Sequence, residues 1–425
     1  MIQTLSILPG VELQAFPDDR FKQGCLSIQM IRPMCENEAA MNALIPSVLL
    51  RGTKKHPDLR SVTMVMDDLY GAAIGPLVRR VGDYQTTGLY CGFMDPRFAL
   101  PGDRVLEPVV DFLRELLLES PTVDGGFLPE FVESEKKNLI STIESERNDK
   151  QVYAMSRMLR SMCQGDSFGL PRLGEREQVA AIDPAALYRH YRKILRESFI
   201  RIFYVGSADP GQVAELVRPI FDFPDRAPMT LPPQSDLRCG PGGDITETME
   251  ITQGKLCMGF TTPVTNRTAD FTATQLLNVV LGGGMTSKLF MNIREKQSLC
   301  YSISSGYYGA KGILTVSAGI DCDKREQVVN EVLHQLELCR SGDITEAELT
   351  AARQALLSSL RSTHDSPSAI EGYYSTSALS GVKLTPQAHM QALNAVTCDQ
   401  VAAAARALTL HTTYFLSKQE NTDIS

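Results

Sequence analysis

Thr345–Arg361, TEAELTAARQALLSSLR, carries both a start signal and a period. Thr345 and Glu348 stand at capping-box spacing, and Leu349, Ala352, Leu356 and Leu360 recur on one helical face. In the first half of the chain, LPEFVESEKKNLISTIE places Val132, Leu139, Ile140 and Ile143 at a constant offset of 217 residues from Leu349, Leu356, Leu357 and Leu360. Just before each segment lies another amphipathic helix pattern, EPVVDFLRELLLES from Glu107 and REQVVNEVLHQLELCR from Arg325. Before those come alternating, strand-like runs that end in Asp, Tyr84–Asp95 and Gly312–Asp321. The repeated order of strand, helix and helix predicts an internal duplication, with chance likeness of amphipathic helices as the alternative.

Between the two copies, Phe223–Asp244 reads FPDRAPMTLPPQSDLRCGPGGD. Pro224, Pro228, Pro232, Pro233 and Pro241 continue neither a helix nor a central strand, so this segment reads as a linker. The expected domains are 1–223 and 245–425, joined by 224–244. Short alternating runs at Gly24–Arg32, Ile200–Gly206 and Leu256–Thr261 beside the paired helices predict an α+β fold. Two such halves facing each other enclose a cleft, where sites tend to form.

With 43% hydrophobic and 22% charged residues, the balance is that of a globular chain. The formal net charge of -8 gives no electrostatic footprint for nucleic acid or an anionic membrane. No apolar run reaches the length of a membrane span, and MIQTLSILPGVELQAF lacks the cationic region of a secretory signal. Ten cysteines are scattered singly, with no C-x-x-C pair, as in a chain of reduced thiols. A cytoplasmic protein is the expectation.

The chemistry-bearing residues are sparse. No two of the six histidines lie within ten residues of each other, so no helix offers a metal two imidazoles one turn apart. VGSAD at Val205 lacks the second glycine of a nucleophile elbow. Cys300 has no activating base beside it in sequence and reads as a strand cysteine. LGGGMTSKLF, Leu281–Phe290, is not a phosphate loop, because no Gly precedes Lys288 and Leu289 follows it. It reads either as a glycine turn with Thr286 or Ser287 capping the next helix, or as glycines 282, 283 and 284 lining a binding cleft. Downstream, Arg294 and Tyr301 stand seven residues apart. With a helix end near Gln297, both tips reach one space and offer hydrogen bonds to a peptide carbonyl. The alternative pairs Arg294 with Glu295 and packs Tyr301 away.

LGGGMTSKLFMNIREKQSLCYSISSGY resembles the second-half motif of the M16 (insulinase and pitrilysin-like) metallopeptidase family. The two repeats, the Pro-rich linker, GDSFGLPRLGE from Gly165 and the YRHYRKIL helix pattern extend the likeness over nearly the whole chain, and MDDLYGAAIG from Met66 is similar to a bacterial subgroup of the family. The resemblance implies two tandem α+β domains and a substrate-binding role for Arg294, Tyr301 and Gly282–Gly284. It also places the family's H-x-x-E-H helix on NALIPSVLLRGTKK, Asn42–Lys55. Counted back from Gly52 and Thr53, the His, Glu and His positions fall on Ala43, Pro46 and Ser47. The remaining Glu ligand falls near Thr142. None of these side chains serves as a zinc ligand or general base, so no metal and no cofactor are expected. Pro46 is expected to kink or shorten its helix.

The pattern is similar to the zinc-free subunit of heterodimeric M16B peptidases, which works on peptides or proteins beside a zinc-bearing homologue. In the bacterial subgroup it resembles, that subunit is associated with modification of elongation factor P. The other expectations are a non-enzymatic peptide- or protein-binding scaffold, as a homodimer, or a hydrolase with an unrecognised site.

Overall fold

The computed structural model describes residues 2–419 and forms two α+β units. The first takes the chain up to Glu144, Leu170–Pro233 and His364–Thr376; the second takes Ser145–Gly169, Gln234–Thr363 and the chain from Ser377. These are not the contiguous halves 1–223 and 245–425. Each half lends one segment to the other unit.

The first unit is built on six strands: β1 Gln3–Leu8, β2 Val11–Pro17, β3 Gln23–Pro33, β4 Ala73–Val81, β5 Tyr84–Met94 and, after the short hairpin β6 Thr122–Val123 and β7 Gly126–Phe127, β8 Phe199–Gly206. Their order is β1-β2-β8-β3-β5-β4, with β2 and β8 parallel. The second unit has β9 Gly243–Met249, β10 Gly254–Thr261, β11 Cys300–Tyr308, β12 Ile313–Ile320 and β13 Thr409–Lys418. Their order is β11-β12-β10-β13-β9, with β13 and β9 parallel. Apart from β1, the two sheets repeat one topology, with the parallel pair in the same place. The duplication read from the helices therefore extends to the strands.

The paired helices also repeat. Pro129–Asn148 and Glu346–Ser362 begin 217 residues apart, and so do Lys150–Met162 and Pro367–Ser380. Thr345 and Glu348 form the expected capping box. The second pair of helices is the exchanged one.

On β3 the period of two shows why a helix must be supplied. Leu26, Ile28 and Met30 enter the main core under the long helices. Cys25 and the polar Ser27 and Gln29 alternate with them and are also buried, beneath the helix Pro367–Ser380. In the second unit, Cys257 on β10 joins Met158 and Met162 of the helix Lys150–Met162 in one cluster. A Cβ at Gly259 would stand 2.6 Å from the Met162 sulfur, so that glycine admits the helix. Gly88 does the same within the first sheet, where a Cβ would meet the Ile28 carbonyl oxygen at 1.8 Å. Gly88→Ala is expected to cost ~1–3 kcal/mol through overpacking, measured by urea unfolding.

The Pro-rich segment has no regular structure before β9, yet it is strapped down. Arg226 donates to the carbonyls of Leu195, Ser198 and Gly10 at 2.6, 2.8 and 3.0 Å, and the Tyr84 hydroxyl donates to the Pro232 carbonyl. Beyond Pro233, the Arg238 amide donates to Asp166 at 3.0 Å and the Gly240 amide to Met162 at 2.8 Å.

Candidate functional site

The helix Glu36–Leu49 runs through Pro46 without being shortened. Pro46 has no N–H for the carbonyl of Asn42, four residues earlier. The Thr87 hydroxyl supplies that bond instead, donating to the Asn42 carbonyl at 2.6 Å. Asn42 is the hub of this helix: its amide donates to Gln85 at 2.9 Å, and its side-chain oxygen lies 2.7 Å from His190 Nε2. The amide oxygen only accepts, so His190 carries its proton on Nε2.

Ala43 and Pro46 are buried and Ser47 is half-buried. Thr142 lies exposed on the helix Pro129–Asn148 and donates to the Asn138 carbonyl at 3.0 Å. These side chains offer no imidazole or carboxylate and do not fit a zinc ion. Among the described residues, no group of three or more His, Cys, Asp or Glu is placed to hold a metal. The Gly-Thr exit is architectural. Buried Thr53 donates to Glu115, accepts from the His56 amide at 2.9 Å, and closes the turn through its own amide to the His56 carbonyl at 2.7 Å.

Burial pushes the His190 imidazole down to about 4, against partial support from the Glu38 carboxylate. Its unfolded value near 6.5 is higher, so between those values the unfolded chain binds the extra proton. Stability is therefore full above pH 6.5 and is lost as pH falls toward 4, by up to about 3 kcal/mol. His190→Gln, which keeps a donor for Asn42, is expected to flatten the loss in urea titrations at pH 7 and pH 4.5. An unchanged pH slope would exclude His190 as its source.

In the second unit, Arg294 and Tyr301 meet. A π-helix, Phe290–Lys296, ends at Gln297; Ser298 takes a left-handed φ of 51°, and β11 starts at Cys300. Arg294 Nε donates to the Tyr301 carbonyl at 3.0 Å, Nη1 lies 3.3 Å from Glu295, and the guanidinium carbon sits 4.6 Å over the Phe290 ring. Pairing with Glu295 and sharing a space with Tyr301 thus coexist. Tyr301 is 61% exposed, so it does not pack away. Its hydroxyl donates to Asp321 at 2.9 Å, and Asp321 pairs with Lys324 at 2.8 Å. Arg294, Ser298, Cys300, Tyr301, Asp321 and Lys324 line one cavity of about 360 Å³. Burial raises the Cys300 thiol to about 11, so it is protonated at neutral pH and no nucleophile.

Gly282, Gly283 and Gly284 do not line this cavity. A Cβ on Gly282 would stand 2.8 Å from the Ser305 amide nitrogen, so this glycine lets its helix approach β11; Gly284 has open space around it. Ser287 caps the next turn, accepting from the Phe290 amide at 3.4 Å. Lys288 is buried against Glu348 at 2.9 Å. Sequence reading missed Asp321 as a site residue, although it had marked the strand ending there. It missed Asn42 altogether, since a lone Asn in an apolar helix carries no local signal.

The family model for the peptidase M16 inactive domain matches residues 181–356. A probable inactive metalloprotease of Bacillus subtilis, YmfF, is 28% identical over 97% of this chain and 96% of its own length. A conserved protein from Enterococcus faecalis has a crystal structure that superposes with a TM-score of 0.92 at 26% identity, covering 99% of this chain and 100% of that one. The fold is shared, too, with a peptidase M16 inactive domain from Pseudomonas fluorescens (TM-score 0.79, 17% identity, 98% of both chains). Along nearly its whole length the chain is thus similar to an M16-like protein described as a probable inactive metalloprotease, and over residues 181–356 it matches the peptidase M16 inactive domain.

Proposed function

We propose that this chain is a zinc-free M16B-type subunit that contributes Arg294 and Tyr301 to a peptide-binding site in a heterodimer with a zinc-bearing homologue. The observation that carries the reading is that both side chains open onto one cavity while Ala43, Pro46, Ser47 and Thr142 supply no metal ligand. A protein that keeps a peptide-facing guanidinium and phenol but no hydrolytic centre binds what another subunit cuts.

The test mixes the full chain with a zinc-bearing M16 homologue from the same organism and follows peptide cleavage. Arg294→Ala is expected to lower turnover by roughly 100-fold, as for a lost hydrogen-bond donor at a reacting carbonyl, and Tyr301→Phe by roughly tenfold through the lost phenol contact to the peptide. Unchanged turnover in both variants sinks the role. A stable homodimer that ignores the homologue and binds peptide uncut favours the scaffold instead. The association with elongation factor P modification rests on resemblance alone; an unchanged mass of the intact factor in a strain lacking this chain overturns it.

A further inference from the structure

Tyr301 has one phenolic proton, and Asp321 takes it. The Asp321 carboxyl is held below its ordinary range, first by Lys324 and then by Tyr301, so it is ionised at neutral pH. An ionised carboxylate only accepts, which fixes the 2.9 Å bond as Tyr301 donating to Asp321. The phenol oxygen is left with lone pairs, and no proton, for any third group.

Arg294 is the converse. A guanidinium only donates; Nε is taken by the Tyr301 carbonyl, Nη1 lies near Glu295, and Nη2 has no hydrogen bond among the described residues. The spacing is built into backbone. Cys300 pairs with Ile320 and Ser302 with Gly319, so Tyr301 is the extra residue of a bulge. Its carbonyl turns to Arg294, and Asp321 directly follows β12, the strand paired with β11. The cavity therefore presents a hydrogen-bond acceptor and a donor.

We infer that Asp321 is a positioning residue that sets the polarity of this site, making it a receptor for an extended backbone amide: the Tyr301 oxygen accepts the amide N–H, and Arg294 donates to the C=O. This rests on the reading of Arg294 and Tyr301 as a peptide-binding pair, and changes what the pair does. With its proton committed, Tyr301 does not act as a second donor to one carbonyl oxygen. β11 is an edge strand, so a peptide laid beside it runs in the extended form whose N–H and C=O groups alternate as the site requires.

The first measurement needs no ligand. In the full chain labelled at the tyrosine Cζ, the Tyr301 phenol titrates above its ordinary value, and Asp321→Asn brings it back down. Titration at the ordinary value in the unsubstituted chain overturns the inference. The second uses a soluble probe, acetyl-Lys-(Ala)6-Lys-amide, and its analogue with six L-lactate units, which keeps the carbonyls and lacks the N–H groups. Binding is followed by shifts of the Tyr301 signal, or of the Arg294 side chain in variants at 301. The amide peptide is expected to bind about three- to tenfold more tightly than the ester, the worth of one hydrogen bond. That preference shrinks in both Asp321→Asn and Tyr301→Phe. Asp321 is half-buried and Asn is isosteric with it, so Asp321→Asn keeps the space filled and leaves the fold intact. A preference that persists in Tyr301→Phe comes from the carbonyls and overturns the polarity assignment alone. Binding of the amide peptide unaffected by Arg294→Ala and Tyr301→Phe, or no binding at millimolar peptide, overturns the assignment and the underlying peptide-binding reading together.

Discussion

Asp166→Ala is expected to lower the unfolding free energy by about 3–5 kcal/mol, because it strands a buried ammonium. Lys311 is 1% exposed, and its Nζ lies 3.1 Å from Asp166 Oδ1. The same Nζ donates to Ser235 Oγ at 2.9 Å. Asp166 in turn accepts from the Phe168 amide at 2.8 Å and the Arg238 amide at 3.0 Å. Three separate stretches of the second unit, Gly165–Gly169, Ser235–Arg238 and the turn before β12, therefore close on one ion pair. Lys311→Met is expected to destabilise comparably, leaving the carboxylate buried without its cation. The double variant Asp166→Leu/Lys311→Met is expected to recover part of the loss, since two apolar side chains leave no charge unpaired. Urea unfolding of the three variants checks this. Single variants within 1 kcal/mol of the parent would show that water or another group takes over the charge.

The second large effect belongs to Glu371, fully buried on the helix Pro367–Ser380. Arg79 grips it bidentately at 2.9 and 2.7 Å, and Ser27, Gln29 and Ser375 donate to it at 2.9, 2.8 and 3.2 Å. Glu371→Leu leaves the guanidinium and several donors without an acceptor, at about 3–5 kcal/mol. The fall in Tm is expected to be roughly 10 °C for a unit of this size. The helix should also become the first point of proteolysis, because its docking depends on that carboxylate. Phe16, Phe203 and Ile370 still pack there, so the rest of the first unit is expected to hold. A protease pattern identical to the parent's would exclude Glu371 as the anchor.

The spacing of Arg294 and Tyr301, the caps of the long helices, the doubled strand–helix–helix order and the lack of imidazole or carboxylate at Ala43, Pro46, Ser47 and Thr142 were all legible in the amino-acid sequence. Each is local: a period, a cap or a count along a few turns records which face of an element is apolar and where it stops. A period does not say what covers that face. Glu371 meets Gln29 across 342 residues, and Asp166 meets Lys311 across 145. The exchange of the helices Lys150–Met162 and Pro367–Ser380 was therefore invisible to a reading that cut the chain at its prolines. The same holds for Pro46. Its missing donor was plain in sequence, but the Thr87 hydroxyl that satisfies Asn42 and lets the helix continue comes from a strand. It holds again for Tyr301, whose phenol was named from the sequence while its polarity waited on Asp321, twenty residues away. Buried polar groups must be satisfied, and the sequence names them. Which distant side chain satisfies each is decided by tertiary packing, because a hydrogen bond depends on position in space and not on separation along the chain.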